Sequence, residues 1–385
     1  MTQFTFNTVR QIIFGAGVAA RIGEVAAAKL GKRIVFVTDP GLLAAGIVAP
    51  ALKALADAGL QVQVYSEVVA DPPEAVVEAA AAMARDFGAD GVIGLGGGSS
   101  MDVAKLVALL AAGHDKLAEA YGVGKAKGPR LPLLLAPTTA GTGSEVTPIS
   151  IVTTGASEKK GVVTPLILPD VALLDPELTV GLPPAVTAAT GIDAMVHAIE
   201  SYASANANNN PISRGLARDA LRLMGAALER AVHDGQDRAA RSDMLLGSML
   251  AGQAFANSPV AAVHALAYPI GGHFHVAHGL SNALMLPHVL RFNARTASAA
   301  YADIAPCTFP HLEQLPAAQR AAALAEELAG LSARCGLPQR LRDVGIPRDA
   351  LPRLAADAML QVRLLPNNPR AVTEQDALAM YEQAW

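Results

Sequence analysis

The stretch GVIGLGGG, residues 91–98, runs directly into SSMDVAK, residues 99–105, and this junction decides the fold of the first half of the chain. An apolar run ends in consecutive glycines and continues with helical periodicity, which predicts a strand, a tight loop and a helix in succession. Glycines let a backbone approach a pyrophosphate closely, and the helix start offers free N–H groups and the positive end of its dipole. The stretch is not a strict GxGxxG, so by itself it fits a structural turn as well as a phosphate site.

The same alternation of β-rich runs and Ala-rich helical stretches extends on both sides of this loop. Strands are predicted at RIVFVT (33–38), LQVQVYSEV (60–68) and LPLLLAPTTAGTG (131–143), and helices at 17–31 and 72–89. Such repetition indicates a mainly parallel sheet covered on both faces. In such a sheet, ligands bind beyond the carboxyl ends of the strands.

The pattern changes after the connector DPELTVGLPP at residues 175–184. From there on, long Ala/Leu-rich segments predict helices at 184–204, 211–233, 239–257, 280–291, 317–335 and 372–384. We therefore expect an α/β domain over residues 1–181 and an all-helical domain over residues 182–385.

Composition argues against several classes of protein. The 385 residues are 52% hydrophobic, which fits a folded chain of two domains, and the net charge of −4 without Lys/Arg runs argues against a nucleic-acid partner. No apolar run reaches the length of a membrane span, and the N-terminus lacks the pattern of a signal peptide. Two cysteines outside any CxxC pair fit the reducing cytoplasm.

Two further features at predicted strand ends favour a nucleotide site. PTTAGTGSE, residues 137–145, is rich in hydroxyls and glycine, which suits a phosphate or a nicotinamide carboxamide. Asp39 follows the first clear strand, where a carboxylate can accept both hydroxyls of an adenosine ribose and repel a 2′-phosphate. An ordinary turn explains Asp39 as well when the glycine loops are left aside. Together with the loops, Asp39 fits a ribose contact as well as it fits a turn.

Candidate metal ligands occur in two places. In TGIDAMVHAIESY, residues 190–202, Asp193 and His197 are spaced i, i+4 on a predicted helix and point from one face. Four of the nine histidines lie close together further along the chain: His264, His273, His275 and His278. A carboxylate with imidazoles suits Fe²⁺ or Zn²⁺ and not Ca²⁺ or Mg²⁺. A histidine on an apolar helix is more often a core residue, and spacing alone does not select which clustered histidines bind.

These stretches together resemble the iron-containing (group III) alcohol dehydrogenases of the dehydroquinate synthase-like superfamily. The resemblance covers nearly the whole chain and is carried by GGGSSMDVAK, PTTAGTGSEVT, LPPAVTAATGIDAMVHAIESY and HALAYPIGGHFHVAHGLSNALMLPHVLRFN. The last two stretches are highly specific to the family. The resemblance implies an N-terminal α/β nucleotide-binding domain, an all-α C-terminal domain, and a homodimer or higher homo-oligomer.

The resemblance also implies roles for individual residues. The implied metal ligands are Asp193, His197, His264 and His278. The residues implied to bind NAD are Asp39, Gly96, Gly97, Gly98, Ser99, Asp102, Thr138, Thr139, Thr142, Lys160, Leu178 and Thr179. The residues implied to line an apolar substrate pocket are Ile149, Phe255 and Val260.

The chain departs from the family at the position expected to relay a proton. Many members have a second histidine four residues after the third ligand, and here that residue is Tyr268. A phenol has a reference pKa near 10 and an imidazole one near 6.5, so we expect alcohol oxidation that rises into the alkaline range. His273 and His275 are the competing candidates for the proton role.

The sequence therefore predicts an NAD-dependent, metal-dependent alcohol dehydrogenase that interconverts a primary alcohol and its aldehyde by hydride transfer. Fe²⁺ is the expected metal, with Zn²⁺ as the alternative. A maleylacetate-reductase-like enzyme would share the fold and the glycine loops but would need cations in its pocket. A lyase of the dehydroquinate synthase type and a non-catalytic subunit are the remaining alternatives.

Overall fold

The computed structural model describes residues 3–113, 115–155 and 158–385. The chain divides into two compact units, an α/β unit over the described residues of 7–139 and 143–179, and a helical unit over 180–385. Residues 3–6 and 140–142 belong to the helical unit. The predicted border between residues 181 and 182 stays a prediction.

The α/β unit is built on a parallel sheet with the strand order β1-β9-β6-β4-β2-β3. Its strands are β1 Gln11–Phe14, β2 Arg33–Val37, β3 Gln61–Tyr65, β4 Gly91–Gly96, β6 Leu133–Pro137 and β9 Val171–Leu174. A smaller sheet contains β5 Gly122–Val123, β7 Ile149–Thr154 and β8 Glu158–Val163, with β7 and β8 antiparallel. The predicted strands β2, β3, β4 and β6 are confirmed, whereas β1, β9 and the smaller sheet were not predicted.

Helices cover both faces of the parallel sheet. They are α1 Ile22–Lys29, α2 Pro40–Ala44, α3 Ala49–Asp57, α4 Glu74–Phe87, α5 Gly98–Ala111 and α6 Leu117–Ala120. Successive side chains of β2 enter two different cores, because a strand alternates its side chains between faces. Ile34 and Phe36 pack with α1 and α3, and Val35 and Val37 pack with α4 and α5. This two-sided burial explains why the strand reads as a continuous apolar run.

The helical unit contains α7 Pro184–Ala203, α8 Pro211–His233, α9 Arg238–Asn257, α10 Ala262–Phe274, α11 His278–Thr308, α12 Ala317–Arg334, α13 Leu351–Ala358 and α14 Glu374–Ala384. The prediction at 280–291 was too short, because α11 continues through Pro287 and Pro306 to Thr308. Among the described residues, no helix has both the length and the apolar character needed to cross a bilayer.

A close approach of α7 and α11 brings the predicted ligands together. A Cβ added at Gly279, the second residue of α11, would lie 2.4 Å from the backbone oxygen of Ala189 on α7. Only glycine therefore allows α11 to begin this close to α7. The residue before it, His278, is placed beside the turn of α7 that carries Asp193.

Candidate metal centre and cofactor loops

Asp193 on α7, His264 on α10 and His278 at the start of α11 meet within the helical unit. Each offers a ligand atom within 4.8 Å of the others. Asp193 Oδ1 lies 3.8 Å from Nε2 of His264 and 3.7 Å from Nε2 of His278. Two atoms that each bind one metal at roughly 2.1 Å stand about 3–4 Å apart, so this spacing fits a shared ion. Asp193 and His264 are buried, whereas the His278 side chain is 41% exposed.

His264 has the hydrogen bonding of an oriented metal ligand. Its Nδ1 lies 2.7 Å from Oε2 of Glu200, while its buried Nε2 has no hydrogen-bond partner. Glu200 also accepts the backbone N–H groups of Ala261 and Val263 at 3.0 and 2.7 Å, which fixes the start of α10. A carboxylate on one ring nitrogen sets the tautomer and leaves the other nitrogen as the electron-pair donor. The unpartnered Nε2 beside Asp193 is thus suited to a metal ion.

His197 lies next to this cluster, one turn after Asp193 on α7. Its ring stacks on that of His264 with centroids 4.8 Å apart and on Phe255 at 4.3 Å. Its Nδ1 is 3.2 Å from the carbonyl oxygen of Gly141 and donates to it when Nε2 is the free nitrogen. Burial lowers the pKa of His197 to about 3, so the ring is neutral and able to coordinate. The compact three-residue cluster does not include His197, and the four-ligand set stays a prediction.

Asn282 is a further polar contact of the centre, one turn after His278 on α11. Its Nδ2 donates to Asp193 Oδ1 at 2.6 Å and lies 3.2 Å from Nε2 of His278. Burial by itself would raise the pKa of Asp193, but it is outweighed by the positive charge that the neighbouring histidines carry when protonated and by this amide, which lower that pKa. Asp193 is therefore an ionised carboxylate that can offset the charge of a cation.

Sequence reasoning missed Glu200 and Asn282, although the signal was present in their spacing. Glu200 follows Asp193 by seven residues and Asn282 follows His278 by four, which are same-face positions on a helix. A polar residue one or two helical turns after a candidate ligand is therefore a candidate hydrogen-bond partner of the metal centre.

The structure separates the candidates for the proton role. The Tyr268 ring lies 5.8 Å from the ring of His278 and 6.5 Å from that of His264, so this phenol is beside the metal centre. Nε2 of His273 is instead 2.6 Å from Oδ2 of Asp357 on α13. His275 is exposed and ends α10 with a left-handed backbone at φ 53°.

The predicted pocket residues lie on different elements. Phe255, at the end of α9, is buried and stacks on His197. Val260 is buried in the connection to α10, where its carbonyl oxygen accepts from Asn367 Nδ2 at 3.0 Å. Ile149 belongs to the α/β unit, where it is the first residue of β7 and half-buried.

The glycine loop of the α/β unit has the predicted position at the carboxyl end of β4. Gly96 ends the strand, Gly97 precedes α5, and Gly98 and Ser99 form its first turn. A Cβ at Gly97 would meet only Thr139 Cγ2, at 3.9 Å, so the backbone here is open to a ligand. Such an open helix N-terminus at a strand end can accept a pyrophosphate.

The second loop begins beside it. Thr138 is buried and donates its backbone N–H to the carbonyl oxygen of Gly96 at 3.0 Å. Thr139 follows within the α/β unit, whereas Thr142 belongs to the helical unit.

The remaining predicted cofactor residues have defined local roles. Asp39 caps α2, with Oδ1 accepting from the Leu42 N–H at 3.0 Å. Leu178 packs against the core that contains β2, and Thr179 donates to the Pro176 carbonyl oxygen at 2.8 Å. The Lys160 side chain is 43% exposed and pairs with Glu158 at 3.3 Å. Asp102 uses its carboxylate oxygens for hydrogen bonds to Ser144 and Ile151.

Comparisons with known proteins agree with this architecture. The family described as "Iron-containing alcohol dehydrogenase" matches residues 9–176, and "Fe-containing alcohol dehydrogenase family, C-terminal" matches residues 187–385. The chain is 46% identical over 359 residues to long-chain-alcohol dehydrogenase 1 of Geobacillus thermodenitrificans (strain NG80-2), covering 92% of this chain and 90% of that protein.

Two solved structures extend the likeness to the fold. A crystal structure of 1,3-propanediol oxidoreductase matches with a TM-score of 0.96 and 34% identity over 100% of both chains. Sulfoacetaldehyde reductase from Bifidobacterium kashiwanohense in complex with NAD⁺ matches with a TM-score of 0.88 and 29% identity, over 100% of this chain and 99% of that one. The family predicted from the sequence motifs is confirmed: the chain belongs to the iron-containing alcohol dehydrogenases and is an oxidoreductase that acts on alcohols.

Proposed function

We propose that the chain transfers a hydride between NAD and a primary alcohol–aldehyde pair, with Fe²⁺ held by Asp193, His197, His264 and His278. The observation that carries this proposal is His264, whose Nδ1 is held by Glu200 and whose buried Nε2 has no partner beside Asp193 Oδ1. Most buried polar side-chain atoms have a hydrogen-bond partner. The buried Nδ1 of His288 also lacks one, and His264 differs in having the carboxylate oxygen of Asp193 3.8 Å from its free nitrogen. Zn²⁺ accepts the same donors and is the alternative metal.

The residues of the centre would contribute to cation binding in different ways. Asp193 supplies negative charge, neutral His197 supplies a lone pair, and His264 offers its unpartnered Nε2. Glu200 keeps the His264 ring in one orientation, so less conformational entropy is lost when a metal binds. When bound, a divalent metal supplies Lewis acidity towards the substrate oxygen, an effect of several kcal/mol.

NAD is the proposed cofactor because of the glycine loop and Asp39. The open backbone at Gly97 and the N-terminus of α5 suit a pyrophosphate. Asp39 lies two residues after the end of β2, where a carboxylate would accept ribose hydroxyls and repel the additional phosphate of NADP. The NAD⁺ complex of the related sulfoacetaldehyde reductase supports this choice. NAD supplies the hydride acceptor, and the protein supplies binding and orientation.

We propose an apolar substrate because the metal centre has an apolar neighbour. Phe255 places its ring against His197, and buried Val260 precedes α10. Ile149 belongs to the α/β unit, and its role in substrate binding stays a prediction. The relative that is named a long-chain-alcohol dehydrogenase supports the same substrate class. Tyr268, next to His264 and His278, is the proposed group that accepts or passes the substrate proton.

A homodimer or higher homo-oligomer and a cytoplasmic location complete the proposal. The family resemblance supports the first, and the small number of unpaired cysteines supports the second. Among the described cysteines, Cys335 is buried and Cys307 is half-buried, and both are free thiols.

The proposal is tested by NADH formation with a panel of C2–C8 primary alcohols, using protein purified anaerobically and loaded with Fe²⁺ or Zn²⁺. We expect turnover with NAD that increases from the short to the longer alcohols. Activity confined to maleylacetate, or no activity with any alcohol and either metal, would overturn the proposal.

A further inference from the structure

A fully buried lysine joins α5 to the far end of the second cofactor loop. Lys105 lies on α5, and its side chain is 0% exposed. Its Nζ donates to Ser144 Oγ at 2.7 Å, to Thr147 Oγ1 at 3.2 Å and to the carbonyl oxygen of Ile149 at 2.7 Å. An ammonium group has three N–H donors, so all of them are used on residues 144–149.

Asp102, one turn earlier on α5, extends the same network. Its Oδ1 accepts from Ser144 Oγ at 2.6 Å and its Oδ2 from the backbone N–H of Ile151 at 2.8 Å. Lys105 Nζ is 3.6 Å from Asp102 Oδ1. Ser144 Oγ thus accepts from the lysine and donates to the aspartate. Each carboxylate oxygen of Asp102 therefore accepts one hydrogen bond from within the α/β unit.

General stability does not explain a charged network at this place. Taking an ammonium and a carboxylate out of water costs several kcal/mol per ion, and an apolar pair of similar volume is often as stable. Burial lowers the pKa of Lys105 to about 8 and raises that of neighbouring Glu145 to about 7, because an enclosed site disfavours the charged form of each group. What an apolar pair could not supply is directed hydrogen bonds to Ser144, Thr147 and Ile149.

The second cofactor loop, residues 138–149, is held at both ends. One end is bonded to the glycine loop, and the other end is bonded to Lys105 and Asp102. The backbone N–H of Thr138 donates to the Gly96 carbonyl oxygen at 3.0 Å, at the end of β4. At the far end, Ser144 is bonded to Lys105 and Asp102, within the first two turns of α5. Both ends of the loop are therefore attached to the strand and the helix that flank Gly97.

We propose that Lys105, together with Asp102, is a positioning residue for the cofactor: it holds the loop from Thr138 to Ile149 in register with the glycine loop. Lys105 itself is enclosed and does not touch the cofactor. Its effect passes through Ser144 and Thr147 to the loop that carries Thr138 and Thr139. The inference rests on the proposed use of NAD. The family resemblance assigns no role to Lys105, and it implies that Asp102 contacts NAD directly.

The test is an NADH titration of the metal-loaded protein, followed by nucleotide fluorescence well below the melting temperature. Lys105→Met keeps the length of the side chain and removes its donors, and we expect the Kd for NADH to rise about tenfold, the equivalent of one charge-assisted hydrogen bond. KM for NAD should rise in parallel, with a smaller change in kcat. Leu109→Ala, one turn further along α5 in the apolar core, is the matched control. It should lower the melting temperature and leave the Kd within about twofold of the wild-type value.

Two further variants separate positioning from stability. In Asp102→Asn/Lys105→Met, removal of both buried charges should restore much of the melting temperature that Lys105→Met loses, while NADH binding stays weak. Ser144→Ala removes one link and should weaken NADH binding about threefold, and it carries the test if Lys105→Met fails to fold. NADH binding that follows the melting temperature across these variants, or is unchanged in Ser144→Ala and Lys105→Met, would overturn the inference. A wild-type protein that does not bind NADH would overturn the proposed cofactor and this inference with it.

Discussion

The buried faces of α7 and α10 and the segment from His273 to His278 both carry histidines, yet the structure treats them differently. His197 and His264 are buried, stacked on each other, and each has Nδ1 next to an oxygen. In the segment, His275 is exposed, His273 pairs with Asp357, and only His278 approaches Asp193.

In the proposed assignment, His197 and His264 are oriented as ligands by the oxygen on Nδ1, whereas the more exposed His278 is included because it lies beside Asp193. A histidine with an oxygen on one nitrogen has a defined lone pair on the other, and burial keeps water from competing for it. His273 has its Nε2 on Asp357 instead, which ties the end of α10 to α13. In the proposed assignment, the crowding of histidines in the sequence therefore combines two metal ligands, His264 and His278, with residues that organise the segment.

The largest expected effect comes from removing a ligand of the buried centre. His264→Ala should lose bound metal and lower kcat by a factor of about 10³, since several kcal/mol of Lewis-acid assistance disappear. His278→Ala should act in the same direction, whereas His273→Ala should retain its metal. Metal content by mass spectrometry, measured together with kcat, compares the variants. Unchanged metal in both ligand variants would break the assignment.

A smaller effect is expected from the carboxylate behind His264. Glu200→Gln keeps the shape of the side chain but weakens the bond to His264 Nδ1, so we expect metal affinity to fall about 10–100-fold. The measurement is competition with a chelator of known affinity. Glu313→Gln, an exposed carboxylate of the same unit, is the control and should bind metal like the wild type. Equal affinities in the two variants would show that Glu200 only caps α10.

These residues also mark what the sequence could and could not reveal. The strands β2, β4 and β6 were predictable because burial on both faces leaves a continuous apolar run. Asp193 and His197 were predictable as a pair because a helix has a fixed period. Helix α8 was predicted with its observed bounds, Pro211–His233, because Asn210 and Pro211 are a strong start signal.

Long-range pairing was not predictable in the same way. The choice between His264 and His273 depends on Glu200 and Asp357, which lie 64 and 84 residues away in sequence. Likewise, Lys105 reads as an ordinary helix residue until Ser144, Thr147 and Ile149 surround it. The short strands β1, β9 and β5 carry too few residues for a periodic signal.

The pH dependence of alcohol oxidation tests whether Tyr268 passes the substrate proton. We expect wild-type kcat for alcohol oxidation to rise into the alkaline range, because a phenol is a poor proton acceptor near neutrality. In Tyr268→His, the rising limb should move towards neutral pH by about one unit or more, since imidazole titrates near 6.5. His275→Ala and His273→Ala should leave the limb in place. If one of these alone removes the ionisation, the proton passes through the segment and not through Tyr268.

The smallest expected effect concerns the choice of nucleotide. Asp39→Asn keeps an oxygen to cap α2 but removes the charge, so the preference for NAD over NADP should narrow about fivefold, near the 1 kcal/mol of one charge repulsion in water. Asp39→Gly should narrow it further, with only a few tenths of a kcal/mol lost from the helix cap. The ratio of kcat/KM values for the two nucleotides is the readout. A wild-type enzyme that prefers NADP would contradict the role of Asp39.

The metal-ligand assignment is tested most directly by an anomalous difference map at the iron edge, from crystals of protein loaded with Fe²⁺ under anaerobic conditions. We expect one strong peak about 2 Å from Asp193, His197, His264 and His278, with His264 Nδ1 still bonded to Glu200. A peak that leaves out His197 would reduce the ligand set to the compact cluster of three. A peak bound by His273 or His275 instead would contradict the central claim that the buried faces of α7 and α10 hold the metal.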